Sequence, residues 1–444
     1  MSKFRLVAPF MIIMFVLAAC SGGGTGESGA EASSGDGGDG GTSAEGDGTI
    51  SVTSLWGGAE GEAFQAVLDA FEAETGITAE YETVRDEYAS VLSTRAAGGT
   101  PPDVAIMPGI GFMQSFAKDD LLIPLEDLGI ARADIEDRFA PGILDIGTVD
   151  DVLYAPMVKL NSKSTVWYHP DSFDELGIEI PTTYDDMVAL SDAYDGPAWA
   201  CGCADTWNLT DWFESIYIHQ HGAEMYGQLF GGELPFTDQS VKDSIAEMTR
   251  ILNEDNLVGG VDGALGTGFN DAIDQTFAED NEAWLFYEGG FVGGLAVGQN
   301  PGLEEELGTR IDFFDFPPVG DAGGSPITIG GDVIAAFVND SDVAAFMEYM
   351  VSPEAGQVWA EQGTIISPII GVDTSVYPNE LASKEAEQIA NAEAVAFDGS
   401  DLLPAGSPDL GATLQTALNN PDGLDAALEE FQVGVEQAFA EVAD

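Results

Sequence analysis

Residues 49–107 read TISVTSLWGGAEGEAFQAVLDAFEAETGITAEYETVRDEYASVLSTRAAGGTPPDVAIM, and the fold class follows from how apolar positions repeat along them. Ile50 and Val52 alternate with polar residues, which predicts a strand that ends in the flexible turn Trp56-Gly57-Gly58. Phe64, Val67, Leu68 and Phe71 then recur at helical spacing as far as Thr75-Gly76. Ile77, Ala79 and Tyr81 alternate again, Tyr88 to Ala97 reads as a second helix, and Pro101-Pro102-Asp103 leads into the apolar strand Val104 to Met107. Strand, helix, strand, helix, strand predicts an α/β fold.

Working outward, helical patterns run over Tyr184 to Ala193, Ser240 to Asn253, Ser341 to Met350, Pro353 to Gln362 and Leu424 to Ala443. Strands are expected over Arg310 to Phe316 and Asp332 to Val338. The body from Thr49 to Asp444 is longer than one hydrophobic core serves, so two lobes are expected.

The N-terminus sets the expected compartment. Lys3 and Arg5 precede an apolar run from Leu6 to Ala19 that ends in Leu17-Ala18-Ala19-Cys20. This is shorter than the ~20 residues of a spanning helix and predicts a cleaved signal peptide over 1–19. The small residues before Cys20 resemble a bacterial lipobox, which implies a lipid on that cysteine and a place on the extracellular face of the membrane, or in a periplasm where there is an outer membrane. Residues 20–48 are rich in Gly, Ser, Ala and Asp and lack large aliphatic or aromatic side chains, so they are expected to form a disordered tether.

The chain has 13 basic and 78 acidic residues, a net charge of −65. Such a surface repels phosphate and excludes nucleic acid as a partner. Because the acids are spread along the whole chain, they read as a solvated surface, suited to a saline setting or to an unusually acidic secreted proteome, rather than as a site for metals or cationic ligands. Cys201 and Cys203 stand one residue apart in a compartment where disulfides persist, and their state is open. With His169, His219 and His221 they read as structural, and no metal or cofactor is expected.

The order of motifs resembles the extracellular solute-binding proteins of carbohydrate ABC importers, in particular the α-glucoside-binding group. The resemblance is carried by Trp56-Gly57-Gly58-Ala59-Glu60, Gly99-Thr100-Pro101-Pro102-Asp103-Val104-Ala105, Tyr154-Ala155-Pro156-Met157-Val158-Lys159, Ile180-Pro181-Thr182-Thr183-Tyr184, Thr210-Asp211-Trp212, Gly330-Gly331-Asp332 and Ser352-Pro353-Glu354-Ala355. It implies a two-lobed periplasmic-binding-protein-like α/β fold with a hinge and an interlobe ligand cleft. On that basis residues 49–158 and 315–352 are expected in lobe one, and 159–314 and 353–444 in lobe two. It also implies a monomer that hands a sugar to a membrane permease.

A sugar offers hydroxyls that donate and accept together with an apolar C–H face, so its site needs carboxylates, amides, basic donors and aromatic rings. Trp56 and Glu60 flank the first strand-to-helix turn, where open α/β sheets present ligand contacts; the alternative is a core tryptophan and a helix-capping acid. Pro108 and Gly109 end the third strand on the same edge. Lys159, beside Asn161, is one of few basic residues, able to serve a sugar hydroxyl or a neighbouring acid. Trp207 and Asp211 share a face if their segment is helical, and Trp212 is read as either contact or core. Glu288 and Phe291 stand in a Gly-rich turn, with phenylalanine where many members of the resembling family carry tryptophan. Gly331 and Asp332 bring amides and a carboxylate to the cleft, or form a tight turn feeding the strand at Val333. A secreted glycosidase would need a pair of acids at the scissile bond, but the chain has no nucleophile elbow, phosphate loop or dinucleotide fingerprint. The chain is therefore read as a binding protein rather than an enzyme. The same fold binding a polyamine or iron is the alternative.

Overall fold

A computed structural model of the protein describes residues 44–84, 88–139, 142–193, 196–320 and 324–443. The expected signal peptide, Cys20 and the tether as far as residue 43 lie outside them. The last residues of the expected tether are bound to the body instead: Gly46 N donates to Ser341 Oγ at 2.9 Å and Gly48 N to Asp342 Oδ2 at 2.6 Å. The start of the helix Ser341–Met350 supplies these acceptors, so order begins before Thr49.

The chain lays down β1 (Thr49–Ser54), β2 (Thr78–Thr83) and β3 (Val104–Met107), with helices Ala59–Thr75 and Tyr88–Ala97 between them, as the apolar spacing predicts. A hairpin, β4 (Thr148–Val149) and β5 (Val152–Leu153), precedes β6 (Met157–Ser162) and β7 (Thr165–Tyr168). Then come β8 (Trp199–Ala200), β9 (Leu285–Glu288), β10 (Asp312–Asp315), β11 (Pro326–Ala336) and β12 (Ala394–Phe397). The first sheet runs β12-β11-β3-β1-β2, with β6 also paired to β11; the second runs β10-β7-β9-β8. β1 is parallel to both β2 and β3, whereas β11 is antiparallel to β3 and β6.

Each sheet carries its own apolar core. Val52, Phe64, Phe71 and Met107 pack in the first, and Leu209, Trp212, Phe213 and Tyr287 in the second. The chain crosses between the sheets at Lys163-Ser164, again between β10 and β11, and a third time after Phe397, beyond which Leu403, Leu410 and Phe431 join the second core. Crossings through so few residues are where two lobes bend relative to each other.

The expected lobe boundaries need correction. Strand β6 from Lys159, helix Pro353–Ala360, residues 365–369 and strand β12, all assigned from sequence to the second lobe, belong with the first: β6 and β12 pair with β11, Ile365, Ile366, Ile369 and Phe397 join the first core, and the Trp359 ring lies 5.1 Å from that of Trp56 and 5.0 Å from that of Phe64. Of the two readings of Gly331 and Asp332, the tight turn is excluded, since β11 runs unbroken through the Gly330-Gly331 pair with a register shift at Asp332/Val333. Gly331 is required there for room: a Cβ on it would come 2.1 Å from the Lys159 carbonyl oxygen of the paired strand.

Candidate functional site

The site is built where the chain crosses between the sheets. β6 carries Lys159 opposite Asp332 on β11. Lys159 Nζ donates to Glu60 Oε1 at 2.6 Å and lies 3.7 Å from Asp332 Oδ2 and 5.0 Å from the centre of the Trp56 ring. Burial opposes its charge, but Glu60 and Asp332 outweigh burial and hold the ammonium above its ordinary pKa. Burial pushes Asp332 up, against the pull of Lys159.

Four residues further on, Lys163 forms the matching centre of the second lobe. Its Nζ donates to Asp211 Oδ2 at 2.8 Å, lies 3.6 Å from Asp398 Oδ2, and sits 4.9 Å and 5.5 Å from the ring centres of Trp207 and Phe291. Burial opposes this ammonium too, but Asp211, Asp398 and Glu288 together hold its pKa above the ordinary value. Burial pushes Asp211 up to about 6 although Lys163 pulls the other way. Glu288, fully buried at the end of β9, is pushed well above the carboxylate range by burial and by Asp211. Glu214, one turn beyond Asp211, accepts from Gly399 N at 2.7 Å and Ser400 N at 3.0 Å and so pins the segment carrying Asp398.

Trp207, Phe269 and Phe291 form the aromatic wall, with Trp207 centred 4.9 Å from Phe269 and 6.1 Å from Phe291. Trp207 starts the helix Trp207–Phe230, and the disulfide Cys201–Cys203 closes the loop before it. That loop has room only for glycine at 202, where a Cβ would come 2.4 Å from Asn208 Oδ1 and 2.6 Å from Phe269 Cα.

The structure thus brings Glu60, Lys159 and Asp332 together in one group, and Trp207, Asp211, Glu288 and Phe291 in a second. Trp56, 2% exposed, packs edge-on against Phe64 and Trp359 and belongs mainly to the first core. Trp212, 1% exposed, is enclosed by Trp199 and Tyr287 in the second core. Asn161 lies on β6 with Nδ2 3.5 Å from Glu385 Oε1. Pro108 and Gly109 are half-buried at the end of β3, before a helix whose Gly111 abuts the Leu403 carbonyl, five residues beyond Asp398.

Sequence reasoning missed Lys163, Asp398, Glu214 and Glu385. The scarcity of lysine singled out Lys163 as well as it did Lys159, and the turn residues Asp398-Gly399-Ser400 marked a loop after an apolar stretch. Nothing in the helical pattern of Glu380–Asn391 distinguishes Glu385 from its acidic neighbours.

A cavity of about 510 Å³ adjoins the aromatic wall, with Glu60, Asn161, Phe291 and Glu385 in its lining. Lys159 and Lys163 lie outside that lining.

A sequence model of bacterial extracellular solute-binding proteins matches residues 56–357, from the Trp56 turn through β11 and into helix Pro353–Ala360. The chain belongs to that family. This solute-binding protein is 30% identical over 413 residues to the osmoprotective compounds-binding protein GgtB of Synechocystis sp., covering 90% of this chain and 92% of that one. It is 31% identical over 413 residues to the alpha-glucosides-binding periplasmic protein AglE of Rhizobium meliloti, covering 88% and 87%. Among solved structures, its fold matches the bacterial solute receptor AcbH, described as preferring β-D-galactopyranose, at a TM-score of 0.77 with 18% identity over 89% of this chain and all of that one. It matches RafE in complex with raffinose at 0.70 with 20% identity over 87% and 99%. The α/β fold is therefore that of two-lobed periplasmic solute-binding proteins.

Proposed function

We propose that this solute-binding protein captures a neutral sugar of the α-glucoside class between its two lobes and delivers it to the membrane permease of an ABC importer. The supporting observation is the Lys163 centre, where an ammonium held by Asp211 and Asp398 lies against the rings of Trp207 and Phe291. Rings offer a platform for the C–H face of a sugar, and the ammonium and carboxylates offer partners to its hydroxyls. Glu60, Lys159 and Asp332 supply the facing set from the first lobe. The relative named for alpha-glucosides favours the same ligand class.

Cys20 is proposed as the lipid-bearing residue, anchoring the body at the outer face of the membrane. Ligand drives closure only by its preference for the closed over the open arrangement of lobes. The carboxylates of both centres are engaged by lysines, and we assign them to binding rather than to hydrolysis. Thermal unfolding with maltose, trehalose, sucrose, spermidine and ferric iron tests the reading, because a ligand of the native state raises the midpoint by mass action. A rise with one or more of the sugars is expected. A rise with spermidine or iron alone would move the chain to another ligand class.

A further inference from the structure

The cavity beside the aromatic wall has the makings of a second binding pocket. One side is the helix Val292–Gln299 with the turn before it, where Gly294 and Gly298 stand four residues apart and therefore on one face. A Cβ at either would meet no atom within 4 Å, so this wall is open for want of side chains. Across from it stand Thr364 and Ile366, and Leu381 and Glu385 of the helix Glu380–Asn391.

Glu385 is 4% exposed and lines the cavity. Its Oε1 accepts from Ser162 N at 2.8 Å. The Thr364 hydroxyl is buried and has no hydrogen-bond partner among the described residues. A buried polar atom left without a partner is destabilising, and a ligand hydroxyl would relieve it. Burial pushes the Glu385 carboxyl up to about 7, so near neutrality it both donates and accepts. Among the described residues, Glu60, Glu304 and Glu385 line the cavity and no lysine or arginine does, which disfavours an anionic ligand. The volume of about 510 Å³ is in the ~300–1,000 Å³ range of small-molecule sites.

We propose that this cavity is a second sugar subsite, continuous with the aromatic wall across Phe291, so that the protein takes glycosides of at least two units with the second unit against Glu385, Thr364 and the glycine face. Phe291, Asn161 and Glu60 are common to the cavity and to the cleft residues already described, which joins the two into one elongated site. The inference rests on the carbohydrate reading above and adds a length requirement to it.

The test is calorimetric titration of the wild type and the Gly294→Leu/Gly298→Leu variant with methyl α-D-glucopyranoside, maltose, trehalose and sucrose. The wild type is expected to bind at least one disaccharide more tightly than the methyl glucoside. The variant, whose leucines fill the cavity, is expected to bind that disaccharide roughly tenfold or more weakly and the methyl glucoside unchanged. Should the double variant fail to fold, Gly298→Leu alone, at the exposed end of the helix, carries the same comparison. A wild type that binds methyl glucoside as tightly as every disaccharide, or a folded variant with unaltered disaccharide affinity, would overturn the second subsite and leave sugar binding standing. Binding of none of the four sugars by the wild type would remove the carbohydrate reading and the subsite with it.

Discussion

Lys163 Nζ donates to Asp211 Oδ2 at 2.8 Å, joining the strand crossing between the two sheets to the first turns of the helix Trp207–Phe230 in the second lobe. Both groups are buried, so the pair stands or falls together. Removing one partner of a buried pair leaves an uncompensated charge and costs about 3–5 kcal/mol. Lys163→Met, which strands both Asp211 and Asp398, is expected to lower the urea midpoint by that order. Asp211→Asn leaves Lys163 its contact with Asp398 and is expected to lower it less. Equal midpoints for wild type and Lys163→Met would contradict this account of the centre.

Trp207 and Trp212 lie on one helix but serve different purposes. Trp207 is 36% exposed on the aromatic wall and Trp212 is enclosed in the second core. Trp212→Ala is expected to destabilise by about 3–5 kcal/mol as a core deletion, and Trp207→Ala by about 1 kcal/mol. Denaturant unfolding of the two variants distinguishes them, and a reversed order would place the core on the wrong side of the helix.

The Glu385 carboxyl titrates near 7 in the folded protein and near 4.5 when free. Between those values the native state holds the proton more firmly than the unfolded state, so this group's contribution to stability is complete below about 4.5 and is lost as pH rises through about 7. At about 1.4 kcal/mol per pK unit, the contribution is roughly 3 kcal/mol. Glu385→Gln cannot titrate, so the stability difference between wild type and variant should drift in the variant's favour by that order from pH 4.5 to 8. A difference independent of pH would show that Glu385 ionises normally.

With a net charge of −65, repulsion between surface acids opposes the folded state in dilute buffer. The screening length falls from about 30 Å at 0.01 M salt to about 3 Å at 1 M. The melting midpoint is therefore expected to rise by several degrees from 10 mM to 1 M NaCl. A flat or falling midpoint would mean that the acids are neutralised in some other way.

Periodicity made the first half of the first sheet legible, because β1 buries Ile50 and Val52 and the helices after β1 and β2 bury regular apolar positions, Phe64, Val67, Leu68 and Phe71 on one and Tyr88, Leu92 and Ala96 on the other. At β11 the turn reading of the glycine pair fails, because Gly331 makes room for the Lys159 carbonyl of the paired strand β6 and Gly330 for the Lys163 side chain. In the site, Glu60, Lys159 and Asp332 were found as residues, but their pairing was not readable, since strands β6 and β11 are far apart in sequence. Trp207 and Asp211 were readable as one helical face. Glu385 was not, because its role comes from burial beneath the Gly289-Gly290 turn, where a Cβ on Gly290 would come 1.9 Å from its carboxyl carbon.

The central claim is that one solute is held by residues of both lobes. Calorimetric titration of the wild type, Glu60→Gln from the first lobe and Trp207→Ala from the second, with the sugar that most raises the melting midpoint, tests it most directly. The account predicts that each substitution weakens binding about tenfold or more while leaving the fold intact. Full affinity in either variant would mean that its lobe does not hold the ligand, and would contradict capture between the two.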